Sequence, residues 1–338
     1  MDKQILIATV NRLFADHKGL LAMDESTVTC NKRFAALGIP QTVEMRRSYR
    51  EMLVTTPGLH ESISGAILFD ETIRQQNKDG TPFIKILTDA GIIPGIKVDI
   101  GAEPLAGFSG EKVTEGLDGL RNRLVEYREM GARFAKWRAV INMGNDIPSI
   151  GAMEANANAL ARYAALCQEA GLVPIVEPEV MMTGAHSLAK CLKITTQVLH
   201  NVFEQLYKQH ILLEGMILKP NMILPGLESK EQESTATIAE TTVACFLKTV
   251  PAAVPGIVFL SGGQSPAQAT AHLATMNKIF ALEIPWHLSF SFGRALQQPA
   301  LELWKGDDAN FVAAQQALYL KSVLNRAACM GQYSSSTI

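Results

Sequence analysis

Neither disulfides nor metal-binding clusters are visible in this sequence. Its five cysteines (Cys30, Cys167, Cys191, Cys245 and Cys329) are scattered, odd in number and never in Cys-x-x-Cys spacing. They read as buried thiols of a reducing compartment, which excludes a disulfide framework and a cysteine zinc site. The seven histidines are equally dispersed, with no pair spaced to place two ligands on one helix face. No metal and no other cofactor is therefore expected. No apolar run approaches the roughly 20 residues that cross a bilayer. The start, Met1-Asp2-Lys3-Gln4-Ile5-Leu6, meets an acidic residue at once and resembles neither a signal nor a transit peptide. A cytoplasmic setting is expected. A surplus of one charge is missing too: the formal net charge is -2, which gives no reason to expect nucleic-acid or membrane partners.

What the chain has is enough apolar matter for a large core. Of its 338 residues, 47% are hydrophobic and 19% charged, which disfavours disorder. The stretch Gly215-Met216-Ile217-Leu218-Lys219-Pro220-Asn221 sets the theme: an apolar strand runs into a lysine and is stopped by proline. Such a lysine either snorkels to solvent or has been placed in a site. Several other apolar runs also end in charged residues, and the strand ends fall near residues 24, 69, 97, 136, 177, 219, 261 and 289. Each separation leaves room for a helix and two loops, so the βα unit repeats eight times. The expected fold is α/β, a (β/α)8 TIM barrel forming a single domain over 1–338. A short polar tail from about residue 331 is expected to be mobile. Residues 3–16 predict an amphipathic helix with Ile5, Leu6, Val10 and Leu13 on one face. Residues 101–118 predict a glycine-rich excursion.

In such a barrel the site lies at the C-terminal ends of the strands. Asp24, Lys97, Lys136, Arg138, Glu177, Glu179, Lys219 and Arg294 all fall there. Strand residues two apart share a side, so Lys136 projects with Arg138 and Glu177 with Glu179. Any one of them could be a structural ion pair; the whole set at matching positions points to a site. Adding Lys32 and Arg33 gives seven positive groups (with Lys97, Lys136, Arg138, Lys219 and Arg294) against Asp24, Glu177 and Glu179. The local surplus of +4, or +3 with Lys219 neutral, predicts a strongly anionic ligand carrying phosphate at both ends. Ser261-Gly262-Gly263 before a helix has the form of a phosphate cradle, although a Gly-Gly turn after a strand is often only a turn. Gly293-Arg294 supplies a cation to the same place. Burial and a neighbouring cation, Lys136, disfavour the ammonium form of Lys219 and leave a nucleophilic amine. Glu177 is placed to shuttle protons, and Asp24 is the candidate base across the barrel. Lysine with carboxylates and no metal ligands means a Schiff-base lyase or a related carbonyl reaction.

The motifs Leu21-Ala22-Met23-Asp24-Glu25-Ser26, Gly65-Ala66-Ile67-Leu68-Phe69, Gly95-Ile96-Lys97-Val98-Asp99, Phe134-Ala135-Lys136-Trp137-Arg138, Val176-Glu177-Pro178-Glu179, Leu218-Lys219-Pro220-Asn221, Leu260-Ser261-Gly262-Gly263-Gln264-Ser265 and Phe290-Ser291-Phe292-Gly293-Arg294-Ala295-Leu296-Gln297 run in order along the chain. Together they resemble the class I fructose-bisphosphate aldolases, with Ala22-Met23-Asp24-Glu25-Ser26 and Thr29-Cys30 closer to a plastid and cyanobacterial branch. The resemblance implies reversible cleavage of fructose 1,6-bisphosphate to dihydroxyacetone phosphate and glyceraldehyde 3-phosphate, in glycolysis, gluconeogenesis or the Calvin cycle. It implies an imine on Lys219, Asp24 as base, Glu177 and Lys136 in proton transfer, and Glu179 positioning Lys219. It also implies one phosphate held by Ser261, Gly262, Gly263, Ser291, Gly293 and Arg294. The other would be held by Ser26, Lys32, Arg33, Lys97 and Arg138. A metal-free homotetramer is the implied assembly. Sedoheptulose 1,7-bisphosphate or a monophosphate is an alternative substrate, and a weakened aldolase-like scaffold is an alternative role. Three places depart from the pattern. Gly331-Gln332-Tyr333 matches the segment before a tyrosine-ending tail, Phe292 stands where tyrosine is common, and Val28 and Asn31 replace small residues.

Overall fold

The computed structural model describes residues 2–333. Ten strands occur among the described residues: β1 (Gly19–Ala22), β2 (Ile63–Leu68), β3 (Ile93–Lys97), β4 (Gly101–Pro104), β5 (Lys112–Glu115), β6 (Phe134–Ile141), β7 (Val173–Val180), β8 (Ile217–Leu218), β9 (Gly256–Phe259) and β10 (His287–Phe292). Eight of them close into a barrel in the order β1-β10-β9-β8-β7-β6-β3-β2, every pairing parallel. The eightfold βα repeat is therefore present, as a (β/α)8 barrel. Long helices such as Ile150–Glu169, Leu188–Lys208 and Phe311–Cys329 pack around it. Among the described residues no helix is long and apolar enough to cross a membrane.

The barrel interior is built in two levels on the same strand faces. At the N-terminal level Leu20, Ala22, Ile67, Ile93, Phe134, Val173, Ile175, Ile217 and Val258 form one buried apolar cluster with Leu6, Val10, Leu13 and Phe14. The last four come from the helix Lys3–Phe14, which plugs the bottom of the barrel. Ile5, expected on that face, is 40% exposed, and Phe14 takes its place. Gly95 leaves room for Phe134: a Cβ there would sit 2.2 Å from the ring.

The structure adds detail beyond the expected strand ends. The strands β6 and β7 run on together to Ile141 and Val180, so Arg138 pairs with Glu177 in register. The excursion at 101–118 contains an antiparallel hairpin of β4 and β5. Its strands are four residues long and hold Gly101 and Pro104, which hides them from periodicity. The Thr114 hydroxyl donates to the Arg138 carbonyl (2.8 Å), mooring the hairpin to the rim of β6. Lys32 and Arg33 lie on the helix Thr27–Ala35, capped by Ser26. Of the tail, residues 334–338 lie outside the described residues, while Tyr333 packs against the main core cluster. Phe292 is fully buried, and Asn31 accepts a hydrogen bond from Arg46 (3.0 Å).

Candidate active site

Above the apolar level, the same inward faces turn charged. Lys97 ends β3, Lys136 and Arg138 lie on β6, Glu177 and Glu179 on β7, and Lys219 directly follows β8. They line a cavity of about 700 Å³ at the C-terminal mouth of the barrel. Every residue expected at the site lines it except Gly263. An added Cβ at Gly263 would meet Leu227 and come within 3.8 Å of the Arg294 guanidinium.

Pro220 cannot donate a strand hydrogen bond, so the chain around Lys219 is held by other means. The Lys219 backbone N–H donates to the Val176 carbonyl (2.8 Å). Asn221, fully buried, accepts from the Val180 N–H (3.0 Å) through its side chain, tying the segment to the end of β7. The lysine side chain therefore leaves a fixed backbone.

Three buried groups and the half-buried Asp24 form a chain of alternating charge across the barrel. Lys219 Nζ is 3.2 Å from Glu177 Oε1, Lys136 Nζ is 3.2 Å from Glu177 Oε2, and Lys136 Nζ is 2.6 Å from Asp24 Oδ2. Glu177 Oε2 makes its ion pair without hydrogen-bond geometry. Burial pushes the Asp24 carboxyl up, but Lys136 and Lys219 outweigh it and hold it well below the usual range. Glu177 follows the same balance: burial raises it, and Lys136, Lys219 and Arg138 bring it below its usual value. Burial disfavours the charge on Lys136, yet Asp24, Glu177 and Asp99 hold its ammonium form far above the usual range. Lys136 is thus neutralised by two carboxylates and is not a bare cation facing Lys219. Glu177 is the charged group in contact with Lys219. Glu179, expected to position Lys219, pairs with Arg138 Nε.

Sequence reasoning missed two acids at the mouth. Glu25 lines the cavity and takes Arg33 (2.5 Å) and the buried Arg50 (2.7 Å). Asp99 accepts from Lys97 (2.5 Å). Seven cations against five carboxylates leave a surplus of +2 in the lining, half the expected value. Both acids stand one or two residues from a counted charge, so the motifs contained the signal. Lys32 and Arg294 are the lining cations without an ion-pair partner among the described residues, and both are exposed. The Ser291 hydroxyl also lines the cavity, buried and without a hydrogen-bond partner. Such an atom needs a ligand or water to satisfy it. Gln297, buried behind the rim, donates to the Ala22 carbonyl and to Glu25 (3.1 Å) and accepts from Tyr49 (2.9 Å). Among the described residues no group of three or more His, Cys, Asp or Glu could hold a metal ion.

A lysine beside a carboxylate in the barrel mouth, with a hydroxyl and cations at the rim, suits carbonyl chemistry on a phosphorylated ketone. The sequence profile of the class-I fructose-bisphosphate aldolases matches residues 5–338. The chain belongs to this family. A probable fructose-bisphosphate aldolase class 1 of Xanthomonas campestris pv. campestris is 57% identical over 98% of this chain and 99% of its own length. The cytosolic fructose-bisphosphate aldolase 6 of Arabidopsis thaliana is 51% identical over 97% of this chain and 91% of its own. The fructose-bisphosphate aldolase of Plasmodium falciparum, in a co-crystal with TRAP and a small-molecule inhibitor, superposes with a TM-score of 0.96 at 44% identity. That match covers 98% of this chain and 96% of the other. These relatives are bacterial, plant-cytosolic and protozoan, so none carries the finer placement in a plastid or cyanobacterial branch. As a class-I aldolase the chain is a lyase of the glycolytic family.

Proposed function

We propose that the cavity cleaves fructose 1,6-bisphosphate reversibly through an imine on Lys219, and the observation that carries this is the chain of ion pairs Lys219–Glu177–Lys136–Asp24. Glu177, ionised and 3.2 Å away, accepts a proton from Lys219, and Nζ attacks the C2 carbonyl carbon. Glu177 returns a proton to the carbinolamine hydroxyl, which leaves as water, and the iminium forms. Asp24 takes the C4 hydroxyl proton; the C3–C4 bond breaks, its electron pair moves into the iminium, and the aldehyde departs. The enamine is protonated at C3, and water then releases dihydroxyacetone phosphate and Lys219. Lys136 keeps its charge throughout and stabilises whichever of Asp24 and Glu177 is ionised.

The ketone-side phosphate fits the wall of Ser261, Gly262, Ser291, Gly293 and Arg294, where Arg294 and the Ser291 hydroxyl lack partners among the described residues. The other phosphate fits Ser26, the N-cap of the helix Thr27–Ala35, with Lys32 from the last turn of the same helix as its cation. Arg33, Lys97 and Arg138 reach it only by loosening their pairs with Glu25, Asp99 and Glu179. One barrel domain suffices for this chemistry, since the main core cluster reaches from Leu21 to Cys329. The family resemblance supports a homotetramer, and the cytosolic Arabidopsis relative supports a cytoplasmic setting.

The division of labour is tested with Asp24→Ala. Borohydride with dihydroxyacetone phosphate should still trap the protein, while cleavage falls by about a thousandfold or more. A variant that can no longer be trapped would show that Asp24 serves imine formation and would overturn these roles.

A further inference from the structure

We propose that His272, which lies outside the cavity, is a positioning residue for the ketone-side phosphate, acting through Gln264 on the Ser261–Gly262 peptide; this rests on the reading of the site above. His272 sits on the helix Pro266–Phe280 and is 7% exposed, with Nδ1 2.6 Å from Gln264 Oε1. Gln264 is also buried, and its Nε2 is 3.0 Å from the Ser261 carbonyl oxygen. Its backbone N–H donates to that same oxygen, also at 3.0 Å.

The donors and acceptors follow by elimination. The Ser261 carbonyl can only accept, so the amide nitrogen of Gln264 must face it. The amide oxygen then faces His272 and can only accept, so Nδ1 carries the proton and donates. Burial pushes the imidazole down to about 4, so the ring is neutral near pH 7 and its single proton is committed to Gln264.

Two donors from one residue fix the direction of the Ser261 carbonyl. In a trans peptide the carbonyl and the following N–H point in opposite directions. Pinning Ser261 O toward Gln264 aims the Gly262 N–H the other way, to the side on which Ser261 and Gly262 line the cavity. The turn cannot hold this orientation by itself. Gly262 (φ +56°) and Gly263 (φ +89°) lie in the left-handed region, where glycine is free to rotate its peptide planes. Without the imidazole, the Gln264 amide can flip and present its oxygen to the Ser261 oxygen, which repels it.

The experiment is a titration of reductive trapping at Lys219 with two ketones, dihydroxyacetone phosphate and dihydroxyacetone. In His272→Leu the half-saturating concentration of the phosphorylated ketone should rise about five- to tenfold, the equivalent of one lost hydrogen bond. That of dihydroxyacetone should not move, because it has no phosphate to bind. His272→Asn, which keeps a donor, should restore the unsubstituted value. If His272→Leu does not fold, Gln264→Ala serves, because alanine cannot reach the Ser261 carbonyl and the same split is expected. An unchanged half-saturation, or equal shifts for both ketones, would overturn the inference while leaving the label on Lys219. Absence of label on Lys219 in the unsubstituted protein would overturn the underlying reading instead.

Discussion

The floor and the mouth of this barrel are carried by the same strands and even by the same strand faces. On β7, Val173 and Ile175 point into the apolar floor, and two and four residues further on Glu177 and Glu179 point into the mouth. On β6 the sequence of inward residues is Phe134, Lys136, Arg138; across Pro220's neighbour it is Ile217, Lys219. The floor gains stability from burial and close packing, about 25 cal/mol per Å² of apolar surface. The mouth does the opposite: it takes charges out of water and recovers the cost only through pairing. One alternation thus encodes both, and the change from apolar to charged marks the level at which packing ends and chemistry begins.

The comparison can be broken with a matched pair of variants on β7. Glu177→Gln should lower turnover per folded molecule by about 10²–10⁴-fold, the usual weight of a proton-transfer group. Ile175→Ala, one step below on the same face, should cost about 2–5 kcal/mol of stability in a urea titration and keep its turnover per folded molecule. If the two variants lost turnover alike, the separation of levels would fail.

Acid sharpens the same contrast with a smaller effect. Glu177 and Asp24 both titrate below their usual values in the folded chain. The unfolded chain therefore binds protons first as the pH falls, so the stability these groups add is present above about pH 4.5 and lost below it. The floor cluster holds no titratable side chain. Ile175→Ala should lower the stability curve equally at every pH, whereas Glu177→Gln should flatten its acid limb. Chemical denaturation between pH 3 and pH 7 measures both.

Much of this was legible in the sequence, and the exceptions have physical reasons. Eight apolar runs, six of them ending at a charged residue, pointed to the barrel and its site because both are local patterns. The hairpin of β4 and β5 escaped because strands of four residues with Gly101 and Pro104 carry no periodicity. The charge surplus was overstated because the sum omits Glu25 and Asp99, which stand one and two residues beyond counted charges and share the cavity with them. The partner of Lys136 could not be read from the chain: Asp24 lies on the far side of the sequence and reaches it only when β1 and β6 face each other across the barrel. His272 carried no signal at all. Its place behind the phosphate turn depends on how a helix packs against a loop eight residues earlier.

The most direct test of the account is the identity of the lysine that reacts. Borohydride reduction in the presence of dihydroxyacetone phosphate, followed by peptide mass mapping, should place the adduct on Lys219, with activity retained in a chelator. An adduct on Lys136 or on no lysine, or activity lost to the chelator, would contradict it.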